Sequence, residues 1–179
     1  MAVRPCLVLV GAPASGKSTV GTAVAELLGV AFRDTDADIE VETGTTVADL
    51  FVDRGEPHFR ALEEQAVTRA LADSDGVLAL GGGAVTSDAT RALLTDYALE
   101  GGTVVWLDVD VASAARRVGL SRDRPLLAVN PRAMLRQMLE TRAPLYAEVA
   151  TCTVNTSGRE PADVVADVLA VLAPKAAGR

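Results

Sequence analysis

Near the amino terminus, Gly11-Ala-Pro-Ala-Ser-Gly16-Lys17-Ser18 matches the spacing G-x-x-x-x-G-K-[ST] in full. The chemistry of such a loop is phosphate binding. Its glycines let the backbone wrap so that successive N–H groups point at one anion. A helix opening near Lys17 adds the positive end of its dipole. Lys17 is suited to the β- and γ-phosphates, and the Ser18 hydroxyl to a magnesium ion. An aliphatic run, Cys6–Val10, precedes the loop and an amphipathic helical pattern follows it, the context that distinguishes a phosphate loop from a plain glycine turn. The sequence therefore predicts a nucleoside triphosphate as one ligand.

Further residues could complete a site. Asp34 and Asp36 stand at the end of a strand-like run, Ala31–Asp34. Residues two apart in a strand share a face, so both carboxylates can point into a cleft beside the phosphate loop. One would serve the metal shell and the other a substrate hydroxyl; Asp36 and Asp38 read equally well as caps of a helix over Ile39–Thr43. Arg60 and Glu63 are neighbours on a helix over Pro57–Asp73, where Glu63 can hold the guanidinium, although a solvated pair has the same spacing. Gly81-Gly82-Gly83 permits close backbone approach to a ligand, as does a simple tight turn. Arg122, Arg124, Arg132, Arg136 and Arg142 offer planar forks for carboxylate or phosphate. The lone histidine, His58, reads as a half-buried helix-start residue rather than a base.

The elements that must position these residues alternate short apolar runs with helical patterns, which predicts an α/β domain with a parallel sheet. Strands are expected at Cys6–Val10, Ala31–Asp34, Val77–Leu80, Thr103–Val109 and Thr151–Val154. Helices are expected at Ser18–Leu28, with Val20, Val24, Leu27 and Leu28 on one face, at Thr46–Val52 and at Pro57–Asp73, the last burying Leu62, Ala66, Val67 and Leu71. Others begin at Ser87–Asp88, span Asp110–Val118 and close the chain over Pro161–Leu172. Asn130 and Pro131 form a good N-cap and N1 pair for a helix toward Thr141, which Pro144 should kink or restart. Gly119–Val129 lacks a clean period and reads as a lid.

Composition bounds the partners. The 179 residues carry a net charge of −7, which argues against nucleic acid or an anionic membrane surface. No apolar stretch approaches the ~20 residues of a membrane span, and no export signal leads the chain. The two cysteines, Cys6 and Cys152, lie in no metal-binding pattern; both are expected as small buried thiols, a usage that fits the cytoplasm. One domain over residues 1–173 is expected, with a frayed tail at 174–179.

Taken together the segments resemble the shikimate kinase family over essentially the whole chain. The resemblance rests on Gly11–Ser18, Asp34-Thr-Asp36, Phe51…Gly55-Glu56…Phe59-Arg60, Leu80-Gly-Gly-Gly83-Ala-Val, Arg124-Pro-Leu-Leu and Arg142-Ala-Pro-Leu-Tyr146, in that order. It implies a three-layer P-loop NTPase fold with a five-stranded parallel sheet, helices on both faces and a mobile lid. It implies transfer of the ATP γ-phosphoryl to the 3-hydroxyl of shikimate, in the pathway to aromatic amino acids; a monomer is expected. The resemblance further implies ATP binding at Gly11, Ala14, Ser15, Gly16, Lys17, Ser18 and Thr19. Arg117 and Pro161 would flank adenine, and Arg124 would close from the lid. It implies that Asp36 holds the acceptor hydroxyl, that Arg60 and Arg142 grip the carboxylate with Glu63 behind Arg60, and that Gly81, Gly82 and Gly83 line the ring. Mg²⁺ would sit at Ser18 and Asp34, and acceptor-binding helices would span about 36–62. Two alternatives remain: a gluconate or nucleotide kinase with the same layout, and a P-loop regulatory switch. The Arg60, Arg142 and Gly81–Gly83 set suggests no base pocket, and no N-K-x-D guanine signal is present.

Overall fold

A computed structural model describes residues 4–119 and 131–173. Five parallel strands form one sheet in the order β2-β3-β1-β4-β5. They are β1 (Leu7–Val10), β2 (Phe32–Asp34), β3 (Val77–Ala79), β4 (Val104–Asp108) and β5 (Cys152–Asn155). Alternation along the strands divides the core. Val8, Val10, Leu78 and Val104 join one apolar cluster, whereas Leu7, Leu9, Val77, Ala79, Val105 and Leu107 join the other. Near-continuous aliphatic runs are what a parallel sheet covered on both faces requires.

The helices are α1 (Lys17–Leu28), α2 (Thr35–Thr43), α3 (Val47–Arg54), α4 (Glu56–Asp73), α5 (Asp88–Leu99), α6 (Val111–Gly119), α7 (Pro131–Val149) and α8 (Pro161–Leu172), with a short 3₁₀ turn at Ala84–Thr86. Side chains of α1 and α8 fill one face of the sheet, those of α4, α5 and α7 the other. Ile39, Leu50, Phe59 and Ala66 form a third cluster, which binds α2, α3 and α4 into a cap beside the strand ends. Ser87 caps α5 by accepting from the Thr90 N–H, as its residue type favours. The two strands flanking β1 leave it in opposite directions of the strand order, so the phosphate loop at its carboxyl end opens at a topological switch point.

Several expectations need correction. Leu27 and Leu28 are exposed: α1 presses its small residues on the sheet, where a methyl on Gly21 would lie 2.4 Å from the Phe32 ring, so the buried stripe centres on Val20, Gly21, Val24 and Ala25. On α4, Leu62 and Leu71 are half-buried while Glu63 is buried. The helix α7 neither stops nor restarts at Pro144 but runs through it to Val149. Cys6 is exposed and Cys152 half-buried, because β5 is an edge strand and Cys6 precedes β1. His58 is exposed on the first turn of α4. Asn130, Arg122, Arg124, the expected lid beyond Gly119 and the expected tail lie outside the described residues.

Candidate active site

The phosphate loop bends from β1 into α1. Gly16, at the α1 N-cap, has a left-handed φ of 95°; among the described residues no side chain caps this helix, and its first turn holds no acid. A helix start of this kind turns its leading N–H groups toward an anion. Lys17 folds back along the loop, its Nζ donating to the carbonyls of Gly11 (2.8 Å) and Ala12 (3.0 Å). Ala14 carries a positive φ of 65°, and its carbonyl accepts from Nη1 of Arg117 at 3.1 Å. The same guanidinium also donates to Thr156, Nη2 to its carbonyl at 2.6 Å. Arg117 therefore ties the loop to the segment after β5. Pro161 stands exposed at the start of α8.

Asp34 joins two helix starts. Its Oδ2 accepts from the Ser18 hydroxyl at 2.9 Å, and its Oδ1 accepts from the Asp36 N–H at 3.0 Å. This corrects both readings of the aspartates. Asp34 ends β2 and caps α2, whereas Asp36 lies in the first helical turn rather than on the strand face. The carboxylates still share a cleft, because a helix starting at Thr35 turns Asp36 inward. Asp38 instead pairs with Arg33.

The glycine run packs against these groups from below. The Gly81 N–H donates to the buried Thr35 hydroxyl at 3.0 Å. A methyl on Gly81 would lie 2.4 Å from Oε1 of Glu63 and 2.5 Å from Oδ1 of Asp36, so the two carboxylates lie less than about 5 Å apart across it. A methyl on Gly83 would lie 1.9 Å from Nη1 of Arg60. The Gly82 carbonyl accepts from Nη1 of Arg142 at 3.1 Å and from the Tyr146 hydroxyl at 2.5 Å. Only glycine allows approach this close.

Arg60 is held from several sides. Its Nη1 donates to Oε2 of Glu63 at 2.6 Å, and its Nε and Nη2 to Oε1 of Glu56 at 3.1 and 3.0 Å. The rings of Phe51 and Phe59 lie 5.6 and 5.5 Å from the guanidinium carbon, within cation–π range. Burial alone would lower Arg60, but Glu63 and Glu56 outweigh it and the guanidinium sits above its ordinary value. Burial pushes the Glu63 carboxyl up, against the pull of Arg60 and Arg142. It also pushes the Tyr146 hydroxyl up to about 12, which keeps this group a donor.

Two cavities meet here. One of about 200 Å³ covers Gly16–Thr19. The other, about 670 Å³, is walled by Phe51, Arg60, Glu63, Gly83, Met138 and Arg142. Pro13, Ser18, Asp34, Asp36 and Gly82 line both. An anion held over α1 and a small acid held between two arginines would thus face each other across Asp36.

A family model described as shikimate kinase matches residues 13–173. The chain belongs to the shikimate kinase family. Phosphorylation of shikimate, in aromatic biosynthesis, is the activity that membership assigns. A shikimate kinase of Salinispora arenicola is 57% identical over 96% of this chain and 99% of its own length. The solved shikimate kinase of Acinetobacter baumannii, in complex with shikimate, is 37% identical with a TM-score of 0.86, covering 95% of this chain and 93% of that one. A gluconokinase of Sinorhizobium meliloti is 24% identical with a TM-score of 0.58, over 97% of this chain and 94% of its own; that likeness concerns the fold alone.

Sequence reasoning missed four residues that help build this cleft. Thr35 fixes Gly81, Glu56 holds Arg60, Tyr146 shares the Gly82 carbonyl with Arg142, and Pro13 lies between both cavities, where a methyl on Gly82 would meet its Cδ at 2.6 Å. Their only signal was membership of the quoted motifs. Arg132 and Arg136 are exposed on α7.

Proposed function

We propose that this chain transfers the γ-phosphoryl of ATP to the 3-hydroxyl of shikimate, with Asp36 at the junction of the two cavities receiving the acceptor hydroxyl. The observation that carries this reading is the shared wall: Asp36 lines both cavities, with Lys17 in one and Arg60 and Arg142 in the other. The loop N–H groups and Lys17 hold and neutralise the phosphates. Arg60 and Arg142 bind the shikimate carboxylate, Glu63 steadies Arg60, and the backbone of Gly81–Gly83 lies against the ring. Held in this way the hydroxyl gives its proton to Asp36 as it attacks, and positioning with charge neutralisation does most of the work in phosphoryl transfer. Arg117 and Pro161 flank the adenine, Arg124 closes on the phosphates, and the chain acts as a monomer in the cytoplasm.

Mg²⁺ fits the residues present. A serine hydroxyl and a carboxylate lie 2.9 Å apart beside the loop, and among the described residues no cluster of three acids, cysteines or histidines forms a cage. Hard oxygen donors in small number, completed by water and phosphate, suit magnesium. Ser18 and Asp34 would hold it, where it would neutralise phosphate charge.

The test is ADP release with shikimate, gluconate or AMP as acceptor. Turnover with shikimate alone is expected. Comparable turnover with gluconate or AMP would overturn the assignment of Arg60 and Arg142 to a carboxylate on a compact ring.

A further inference from the structure

The Arg60 guanidinium has five N–H groups. Three are engaged among the described residues: one on Nη1 with Glu63, and those of Nε and one on Nη2 with Glu56. What remains is one N–H on each terminal nitrogen, two donors for a carboxylate. The flat faces are restrained as well, by the Gly83 backbone and by the Phe51 and Phe59 rings. Glu63 alone cannot fix the fork, because a single bond to Nη1 leaves the group free to swing about it. Glu56 supplies the second anchor from the other side.

We infer that Glu56 is a positioning residue for the acceptor: it locks the Arg60 fork so that its two remaining N–H groups are set for a carboxylate. The inference rests on the reading of Arg60 as the acceptor's carboxylate ligand. Glu56 stands in the first turn of α4 with its side chain 60% exposed, against 3% for Glu63. It does not line the acceptor cleft, so it acts through Arg60 and not by contact with substrate. It accepts both bonds with one oxygen, Oε1, so a glutamine carbonyl can take its place. A simple charge argument gives the opposite sign, since removing an acid beside an anion site should strengthen anion binding. The direction of the effect therefore decides the matter.

The experiment measures shikimate affinity by calorimetry, with ADP and Mg²⁺ present, in the full chain and in E56A, E56Q, R60K and E56A/R60K. Freeing one rotamer-rich side chain should weaken E56A about three- to tenfold. E56Q should recover most of that loss. The ATP KM should not move, and the melting temperature should stay within about 3 °C, because the side chain is exposed. R60K should bind weakly, with no further loss in the double variant. If R60K is weak but E56A binds shikimate as well as wild type or better, the role of Glu56 is overturned and the Arg60 reading stands. If R60K binds like wild type, the Arg60 reading fails and Glu56 falls with it.

Discussion

Replacing Gly83 with alanine isolates the contact on which the proposed acceptor site depends. Gly83 has φ −100° and ψ −6°, a conformation open to alanine, so the backbone has no reason to change. The new methyl would instead lie 1.9 Å from Nη1 and 2.4 Å from the guanidinium carbon of Arg60. Ordinary contact needs about 3.4–4 Å, so the head group must move by well over an ångström. That displacement breaks the 2.6 Å bond to Glu63. Displaced in this way Arg60 no longer meets the shikimate carboxylate, and losing one such hydrogen bond to a charged group, worth about 1.5–3 kcal/mol, corresponds to about a ten- to hundredfold rise in the shikimate KM. Glu63, only 2% exposed, would also lose its partner, at a cost to folding of about 1–3 kcal/mol. The ATP KM should stay near wild type, because the three atoms nearest that methyl position all belong to Arg60. Steady-state kinetics with each substrate varied in turn, beside a circular-dichroism melt, separates these effects. A folded G83A enzyme with wild-type shikimate KM would refute the packing of Arg60 on Gly83 as a functional contact.

Tyr146→Phe keeps the ring stacked on Trp106, 5.8 Å between centroids, and removes the bond to the Gly82 carbonyl together with the hydrogen bond that links the hydroxyl to Arg142; the shikimate KM should rise about fivefold, the worth of roughly one hydrogen bond, and an unchanged KM would show that Arg142 holds its place without them. Glu63 titrates above its ordinary value because burial outweighs Arg60 and Arg142, so the native chain binds that proton more tightly than the unfolded one. Its contribution to folding is full below about pH 4.3 and fades as pH rises through the native value; urea unfolding should show wild type losing stability relative to E63Q across that window, and parallel curves would contradict it. Lys17→Ala should abolish turnover in a folded protein, since it removes the charge that meets the phosphates, and near-normal kcat would remove that role.

Much of the fold was legible because its signals are local. The apolar runs marked all five strands to within two residues at either end, and the phosphate-loop spacing placed that loop between β1 and α1. Ser87 and Pro131 marked helix starts by residue type alone. What escaped depends on contacts distant in sequence. Apolar periodicity has no way to show that Glu63 is buried, because a carboxylate on the packed face of α4 is paired by Arg60 and faced by Gly81 only in three dimensions. The inward turn of Asp36 follows from Asp34 capping α2 one turn earlier than the aspartate pattern suggested. Leu27 and Leu28 satisfied the helical stripe yet lie exposed, because small residues at Gly21 and Ala25 set how α1 sits on the sheet. The site's arginines converge on one glycine loop from α4 and α7, a meeting that no spacing records.

In the proposed reaction Asp36 links the two cavities chemically. The most direct measurement compares nucleotide binding and single-turnover phosphoryl transfer in wild type and D36N, with D34N alongside. D36N should bind ATP and shikimate, keep its fold and lose about 10²-fold or more in rate, the range typical of a general base. A D36N enzyme that transfers phosphate at the wild-type rate, or a D34N enzyme that alone loses use of the acceptor, would contradict it.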